Sequence, residues 1–296
     1  MAILEFLKAL LYGIVEGITE WLPVSSTGHL ILLEEWLPLR VSQDPVFMAE
    51  FGEMFEVVIQ LGAILAVVIL FWHTLWPFSS KKSATEKKRT WNLWGKVLVA
   101  SVPAAVVGIV VDKLIESATG KSIDGWLYNA IVVSIALIVY GIAFIVIERA
   151  YRDKHNRIES VEDISYVNAF LIGSFQVLAL VPGTSRSGST ILGARLLGIS
   201  RSAAAEFSFF MAIPVMVGAS GIKVLGFAKW VMENDFSVPM DAWIVLAIAC
   251  LSAFVVSMVA IRFLMDFVKK HSFAPFGVYR IILGVLVLGY FWFLGR

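Results

Sequence analysis

The sequence predicts an all-α polytopic membrane protein, with six transmembrane helices and two re-entrant helical hairpins arranged as an inverted-topology repeat. Three observations point there. Of 296 residues, 59% are hydrophobic and 16% charged, whereas a soluble domain carries roughly 25% charged residues. The apolar residues gather in long runs, and a hydrocarbon core of about 30 Å needs about 20 of them at 1.5 Å per helical residue. Two further apolar regions are interrupted near their middles by a proline and a burst of small polar residues.

In chain order, the first interrupted region is 4–37, broken by Leu22-Pro23-Val24-Ser25-Ser26-Thr27-Gly28-His29. Spans are expected at 55–76, 93–111 and 126–147. The second interrupted region is 166–199, broken by Pro182-Gly183-Thr184-Ser185-Arg186-Ser187-Gly188-Ser189-Thr190, and spans follow at 207–226, 242–264 and 278–293. Charge is nearly absent from the six runs as read here. Cys250 lies in one of them and has no second cysteine to pair with. No cleavable signal peptide is expected, because 2–15 lacks a basic n-region.

A helix broken at membrane depth needs protein or a wet cavity to satisfy its freed backbone groups. Proline removes a donor, glycine relaxes the turn, and serines and threonines cap the half-helix that follows. Both regions are therefore read as re-entrant hairpins meeting inside the bundle. Two kinked spans are the alternative.

Orientation follows from lysine and arginine, which favour cytoplasmic loops. Lys81, Lys82, Lys87, Lys88 and Arg89 follow the first span; Arg149, Arg152, Lys154 and Arg157 follow the third; Lys269 and Lys270 follow the fifth, with Arg262 just inside. The opposite gaps hold only Lys113 and Lys121, and Lys229. The basic gaps are assigned to the cytoplasm, and the region before the first span and Arg296 to the outside. Arg195 and Arg201 are read as anchors at the cytoplasmic interface. Each half is then one hairpin plus three spans, 1–148 and 160–296. Three is odd, so the second hairpin enters from the face opposite the first. Gly13-Ile14-Val15-Glu16 resembles Gly173-Ser174-Phe175-Gln176, and Glu53 resembles Glu206. Transporters share this architecture.

Ionisable residues in membrane segments are costly and mark function. Glu16 and Glu20 fall on one helical face, one turn apart; like charges so close make sense if they share a divalent cation or a proton. His29 follows Ser25, Ser26 and Thr27. Histidine is a base or nucleophile near neutral pH and serine needs activation to attack, although a cap network gives the same pattern. Arg186, among Ser185, Ser187 and the later Thr190, suits a phosphate grip at a helix start or an internal counter-ion. No other arginine or lysine is read as equally well placed inside the membrane. Glu53, Glu56, Gln60, Gln176 and Glu206 form a second tier. Carboxylates, a histidine, hydroxyls and an arginine suit a metal-held phosphate group. The basic residues form no groove-like set for nucleic acid, and neither a Walker loop nor a dinucleotide glycine fingerprint is present.

Glu16-Gly17-Ile18-Thr19-Glu20-Trp21-Leu22-Pro23-Val24-Ser25-Ser26-Thr27-Gly28-His29 and 182–190 resemble the bacterial undecaprenyl-diphosphate phosphatase family tied to bacitracin resistance. The resemblance runs over nearly the whole chain; a long basic loop between Pro77 and Trp91 is the one visible departure. It implies hydrolysis of undecaprenyl diphosphate to the monophosphate and inorganic phosphate, recycling the lipid carrier of peptidoglycan. It also implies a divalent cation, magnesium or calcium, and a site opening to the outer face of the bacterial plasma membrane. The family's acidic motif falls on Glu16 and Glu20, its serine and histidine on Ser26 and His29, and its phosphate-gripping residues on Ser185 and Arg186, with Thr190 beyond. Ser26, His29 and a water held by the metal all stand as nucleophiles. The partners expected are undecaprenyl diphosphate, membrane lipid and a second copy in a homodimer. A transporter or flippase of an isoprenoid phosphate or another anion is the alternative.

Overall fold

The computed structural model describes residues 2–120, 126–127, 129–152 and 155–293. Lys121, Lys154 and Arg296, used above for orientation, lie outside them. Among the described residues six helices are long and apolar enough to cross a membrane. They are α3 (Pro45–Leu70), α5 (Ala84–Thr119), α6 (Ala130–Ala150), α9 (Arg201–Glu233), α10 (Met240–Lys270) and α11 (Ala274–Phe293). Shorter helices complete the set: α1 (Ala2–Thr19), α2 (Ser26–Trp36), α4 (Trp72–Leu75), α7 (Tyr166–Gln176) and α8 (Arg186–Leu196).

α3 and α5 are longer than their apolar windows because polar caps outside the windows start them. Asp44 accepts from the Val46 and Phe47 amides at 2.8 and 3.0 Å, with Pro45 in the first turn, so α3 starts at Pro45 and not at 55. A reciprocal capping box between Ser83 and Glu86 starts α5 at Ala84 and not at 93. Asn129 accepts from the Val132 amide at 3.0 Å and starts α6 at Ala130, later than the expected 126.

Each outward helix face is apolar. On α6, Ile131, Ile135, Val139, Ile142 and Val146 are exposed at helical spacing. A stripe of that length on water would be an association surface; on a six-span protein it is the lipid face. The inward faces use small residues, as membrane helices do where backbones approach closely. Gly17 on α1 faces α10: a Cβ there would fall 2.7 Å from the Ala253 carbonyl oxygen, and Ser257 Oγ donates to the Gly17 carbonyl at 3.3 Å. Gly277 on α11 meets α6 in the same way, its Cβ position 2.6 Å from the Gly141 carbonyl oxygen.

The element order occurs twice: a helix, a break, a short helix, then three long helices. α2, α7 and α8 have 11 residues each and rise only about 16 Å, half the hydrocarbon thickness. A 3-10 turn, Val177–Leu180, separates α7 from its break. The basic gaps meet at one end of the bundle. Arg89 pairs with Glu162 at 3.3 Å, and residues 157–158 pair with 198–200 through backbone hydrogen bonds of 2.8 Å.

Candidate active site

The two breaks end alike. Ser25 (φ 74°) and Ser185 (φ 73°) both lie in a backbone region that side chains rarely adopt, and each strained residue costs about 1–3 kcal/mol. Each caps its helix: Ser25 Oγ accepts from the Gly28 amide at 3.4 Å and Ser185 Oγ from the Gly188 amide at 3.1 Å. The shared cap sets Ser25-Ser26-Thr27-Gly28 against Ser185-Arg186-Ser187-Gly188, so Arg186 stands in the second break where Ser26 stands in the first.

Both of those residues reach the same carboxylate. Ser26 Oγ donates to Glu20 Oε2 at 2.7 Å, and Arg186 Nη2 donates to Glu20 Oε1 at 2.9 Å. Ser187 Oγ donates to the Glu20 carbonyl at 3.2 Å. Arg186 Nη1 donates to the Ser208 carbonyl at 2.7 Å, and the Ser208 and Thr190 hydroxyls share a hydrogen bond of 2.7 Å. Among the described residues the Arg186 Nε–H is buried without a partner. The N-termini of α2 and α8 therefore converge on Glu20, and their aligned peptide dipoles favour negative charge there.

Glu16, one turn before Glu20, is 0% exposed, and neither carboxylate oxygen has a hydrogen-bond partner among the described residues. A buried carboxylate left so calls for a proton or a cation. No group of three or more His, Cys, Asp or Glu side chains gathers to hold a metal among the described residues. The donor chemistry still fits one hard cation held by Glu16, because magnesium commonly takes one or two carboxylates and completes its shell with phosphate oxygens and water.

His29, one turn after Ser26 on α2, makes its hydrogen bonds outside this set. Its Nδ1 lies 2.7 Å from the Ser25 carbonyl, which can only accept, so Nδ1 carries the proton. Nε2 lies 2.6 Å from the Tyr279 hydroxyl, and the two rings stack at 5.6 Å. The histidine is therefore not bonded to Ser26, whose acceptor is Glu20. Ser25 and Ser185 are occupied as caps, Thr27 is half-buried, and the Thr190 hydroxyl also reaches the Arg186 and Ser187 carbonyls, at 3.1 Å each.

Sequence reasoning missed Arg280. It is 0% exposed on α11, inside a run read as nearly free of charge, and is more deeply placed than Arg186. Nη1 donates to the Pro23 carbonyl at 3.1 Å, and Nη2 donates to the Gly183 and Thr184 carbonyls at 2.8 and 2.9 Å. One guanidinium thus ties both breaks together and satisfies carbonyls that the breaks release. Its signal was in the sequence: an arginine two residues into an expected span. Tyr279 and Ser208 carried no comparable signal.

The second tier divides. Glu53 forms an exposed pair with Lys223 at 2.8 Å and stays outside the centre. Glu56 lies near enough to Glu16 to act on it electrostatically. Gln60 is half-buried on α3. Gln176 is 3% exposed, and among the described residues its Oε1 has no partner, nor do the oxygens of its counterpart Glu16. Glu206 feels Glu162, toward the basic end. Arg195 and Arg201 are not mere interface anchors: Arg195 is 3% exposed, and both hold Glu148.

Comparison with known proteins bears on this centre. A protein in Enterococcus faecalis named undecaprenyl-diphosphatase is 52% identical over 286 residues, covering 97% of both chains. Proteins of that name in Acetivibrio thermocellus and Lactococcus lactis subsp. cremoris are 50% and 49% identical, over 97% of this chain and 98% and 97% of theirs. The family model for bacitracin resistance protein BacA matches residues 9–286, spanning both breaks and all six long helices but for the last turns of α11, and the chain belongs to that family.

Proposed function

We infer that this protein hydrolyses undecaprenyl diphosphate to undecaprenyl phosphate and inorganic phosphate, recycling the lipid carrier for cell-wall polymers. The observation that carries the chemistry is Glu20, held between Ser26 of one half-helix and Arg186 of the other. In this reading Glu20 accepts the Ser26 proton as Oγ attacks the terminal phosphorus and the bridging P–O bond breaks. A water, losing its proton to the surroundings, then cleaves the phosphoserine to inorganic phosphate while Ser26 regains the proton from Glu20; or a water replaces Ser26 and gives inorganic phosphate in one step. Arg186 has five N–H donors, and those not held by Glu20 and Ser208 grip the phosphate. Ser185, Ser187 and the amides opening α2 and α8 surround the anion. A divalent cation is proposed at Glu16, with Glu20 adjacent; when bound, it neutralises diphosphate charge.

The leaving group is a phosphate monoester with a second pKa of about 6, so near neutral pH it departs without much help from an acid. His29 then acts on proton traffic around the site, with Tyr279 positioning it. Tyr279→Phe removes the bond to Nε2, a loss of about 0.5–1.5 kcal/mol. It is expected to lower kcat/KM by at most about tenfold, with Tm nearly unchanged. A hundredfold loss would place Tyr279 in the chemistry itself.

The break–half-helix pairs are proposed as re-entrant hairpins of an inverted repeat, supported by their 11-residue helices and by the equivalence of Ser25 and Ser185. The basic end is assigned to the cytoplasm of the bacterial plasma membrane and the catalytic centre to the outer side. In a Cys250→Ala background, cysteines at Lys87 and Lys270 are expected to resist an impermeant label in intact cells, while one at Asp235 reacts. The reverse pattern overturns the orientation. Phosphate release by purified protein in detergent separates enzyme from flippase, since a carrier releases none.

A further inference from the structure

The first and last turns of α8 each carry an arginine. Arg186 opens the helix and Arg195 lies near its end, nine residues and about 14 Å further on. Arg195 borders a separate cavity of about 340 Å³ at the basic end of the bundle, where α6, α9 and α10 meet. Arg152, Arg201 and Lys269 also line it, with Glu159 as the only carboxylate in the lining among the described residues.

The floor is built from fixed guanidiniums, and around the whole cavity cations outnumber carboxylates. Glu148, 3% exposed, is shared by two guanidiniums: Oε1 takes Arg195 Nε at 3.2 Å and Oε2 takes Arg201 Nε at 2.7 Å. Arg195 Nη1 is fixed further by Asn156 Oδ1 at 3.0 Å and the Ile199 carbonyl at 2.6 Å. Among the described residues no hydrogen bond engages Arg195 Nη2 or Arg201 Nη1, and both residues line the cavity. Glu148 and the exposed Glu159 together match the two floor guanidiniums, so the excess positive charge comes from Arg152 and Lys269 at the rim. Arg152 and Lys269 are exposed at the rim; Lys269 touches Asp266 at 3.0 Å in an exposed pair that solvent screens. Forked donors on the floor and flexible cations on the rim match the oxygens of a phosphate group.

We propose that this cavity is a second anion site that holds a phosphate group, either free phosphate or the headgroup of an anionic phospholipid. It is independent of the centre at Glu20, and its occupant ties the ends of α6, α9 and α10 together.

The test uses the full-length purified protein and a rim variant, Arg152→Gln with Lys269→Gln. Both rim residues are exposed, so folding is not at stake. Thermal stability is followed in detergent during titration with inorganic phosphate, with short-chain phosphatidylglycerol, and with phosphatidylcholine as the neutral control. Stabilisation by phosphatidylglycerol over phosphatidylcholine is expected, with the midpoint raised roughly thirtyfold in the rim variant, since each basic residue at an anionic surface is worth about a factor of five. Arg152→Lys with Lys269→Arg is expected to restore it, and phosphate release from undecaprenyl diphosphate is expected to be the same in all three proteins. A rim-sensitive response to inorganic phosphate as well makes free phosphate an occupant; a response to phosphatidylglycerol alone makes it the headgroup. Identical responses of wild type and rim variant to both probes overturn the proposal and leave Arg195 and Arg201 as a structural clasp on Glu148.

Discussion

Arg186→Ala is expected to cost two to four orders of magnitude in kcat/KM and to destabilise the protein as well. The guanidinium has two duties. It neutralises Glu20 across a 2.9 Å contact, with the two side chains only 12% and 6% exposed, and it presents its remaining donors to phosphate. Removing one partner of a buried pair leaves the other charge uncompensated, at a cost of about 3–5 kcal/mol. Truncating a buried, hydrogen-bonded charge at a binding site is of the same size, which converts to the stated loss of rate. Because both duties fail together in alanine, lysine separates them. An ammonium at position 186 still neutralises Glu20, so the melting temperature of Arg186→Lys is expected close to wild type. It cannot span Glu20, the Ser208 carbonyl and a phosphate with one rigid fork, so kcat/KM is expected to fall by about ten- to a hundredfold. Phosphate release and Tm for both variants decide the matter. Wild-type activity in the lysine protein makes Arg186 a counter-ion only, and an active, well-folded alanine protein removes it from the chemistry.

Glu16→Gln is expected to behave in the opposite way: activity lost, stability kept or raised. The carboxylate is fully buried beside Glu20, and among the described residues neither oxygen has a hydrogen-bond partner. An unpartnered charge there works against folding by several kcal/mol, and a neutral amide of the same shape works against it less. If Glu16 holds the cation, its loss is expected to lower kcat at least a hundredfold at saturating magnesium. A second readout is free of turnover. Magnesium or calcium is expected to raise the Tm of the wild-type protein, and this shift should vanish in the variant, as it should for wild type with excess chelator. A variant that loses Tm in parallel with activity, or that keeps the metal-dependent shift, assigns Glu16 to packing.

The centre was partly legible because membrane segments punish idle polarity. Glu16, Glu20, Ser26 and Arg186 each stood out against an apolar background, and the structure brings the last three into one hydrogen-bonded set. What the sequence hid was partnership. The pairing of Glu53 with Lys223 joins residues 170 apart, and nothing local announces it. Nor could spacing show that Ser26 turns to Glu20 while His29, three residues on, turns to Tyr279, because that choice depends on α11 lying against α2. Arg280 was lost for another reason. A window average over 278–293 dilutes a single charge, although one arginine in a span outweighs many leucines. Helix ends were misjudged where Asp44 and Ser83 start helices outside the membrane window, at polar caps that hydropathy ignores.

The clasp made by Arg280 also sets a timetable for synthesis. Its partners at Pro23 and Gly183 precede it by 257 and 97 residues. At about 5–20 residues per second, Gly183 waits about 5–20 s for the arginine to be made and Pro23 about 13–50 s. Throughout that interval the carbonyls of both breaks lack their guanidinium. Closure of the centre is therefore among the last events of biogenesis, and a ribosome stalled before α11 leaves a chain whose two breaks are still unfastened.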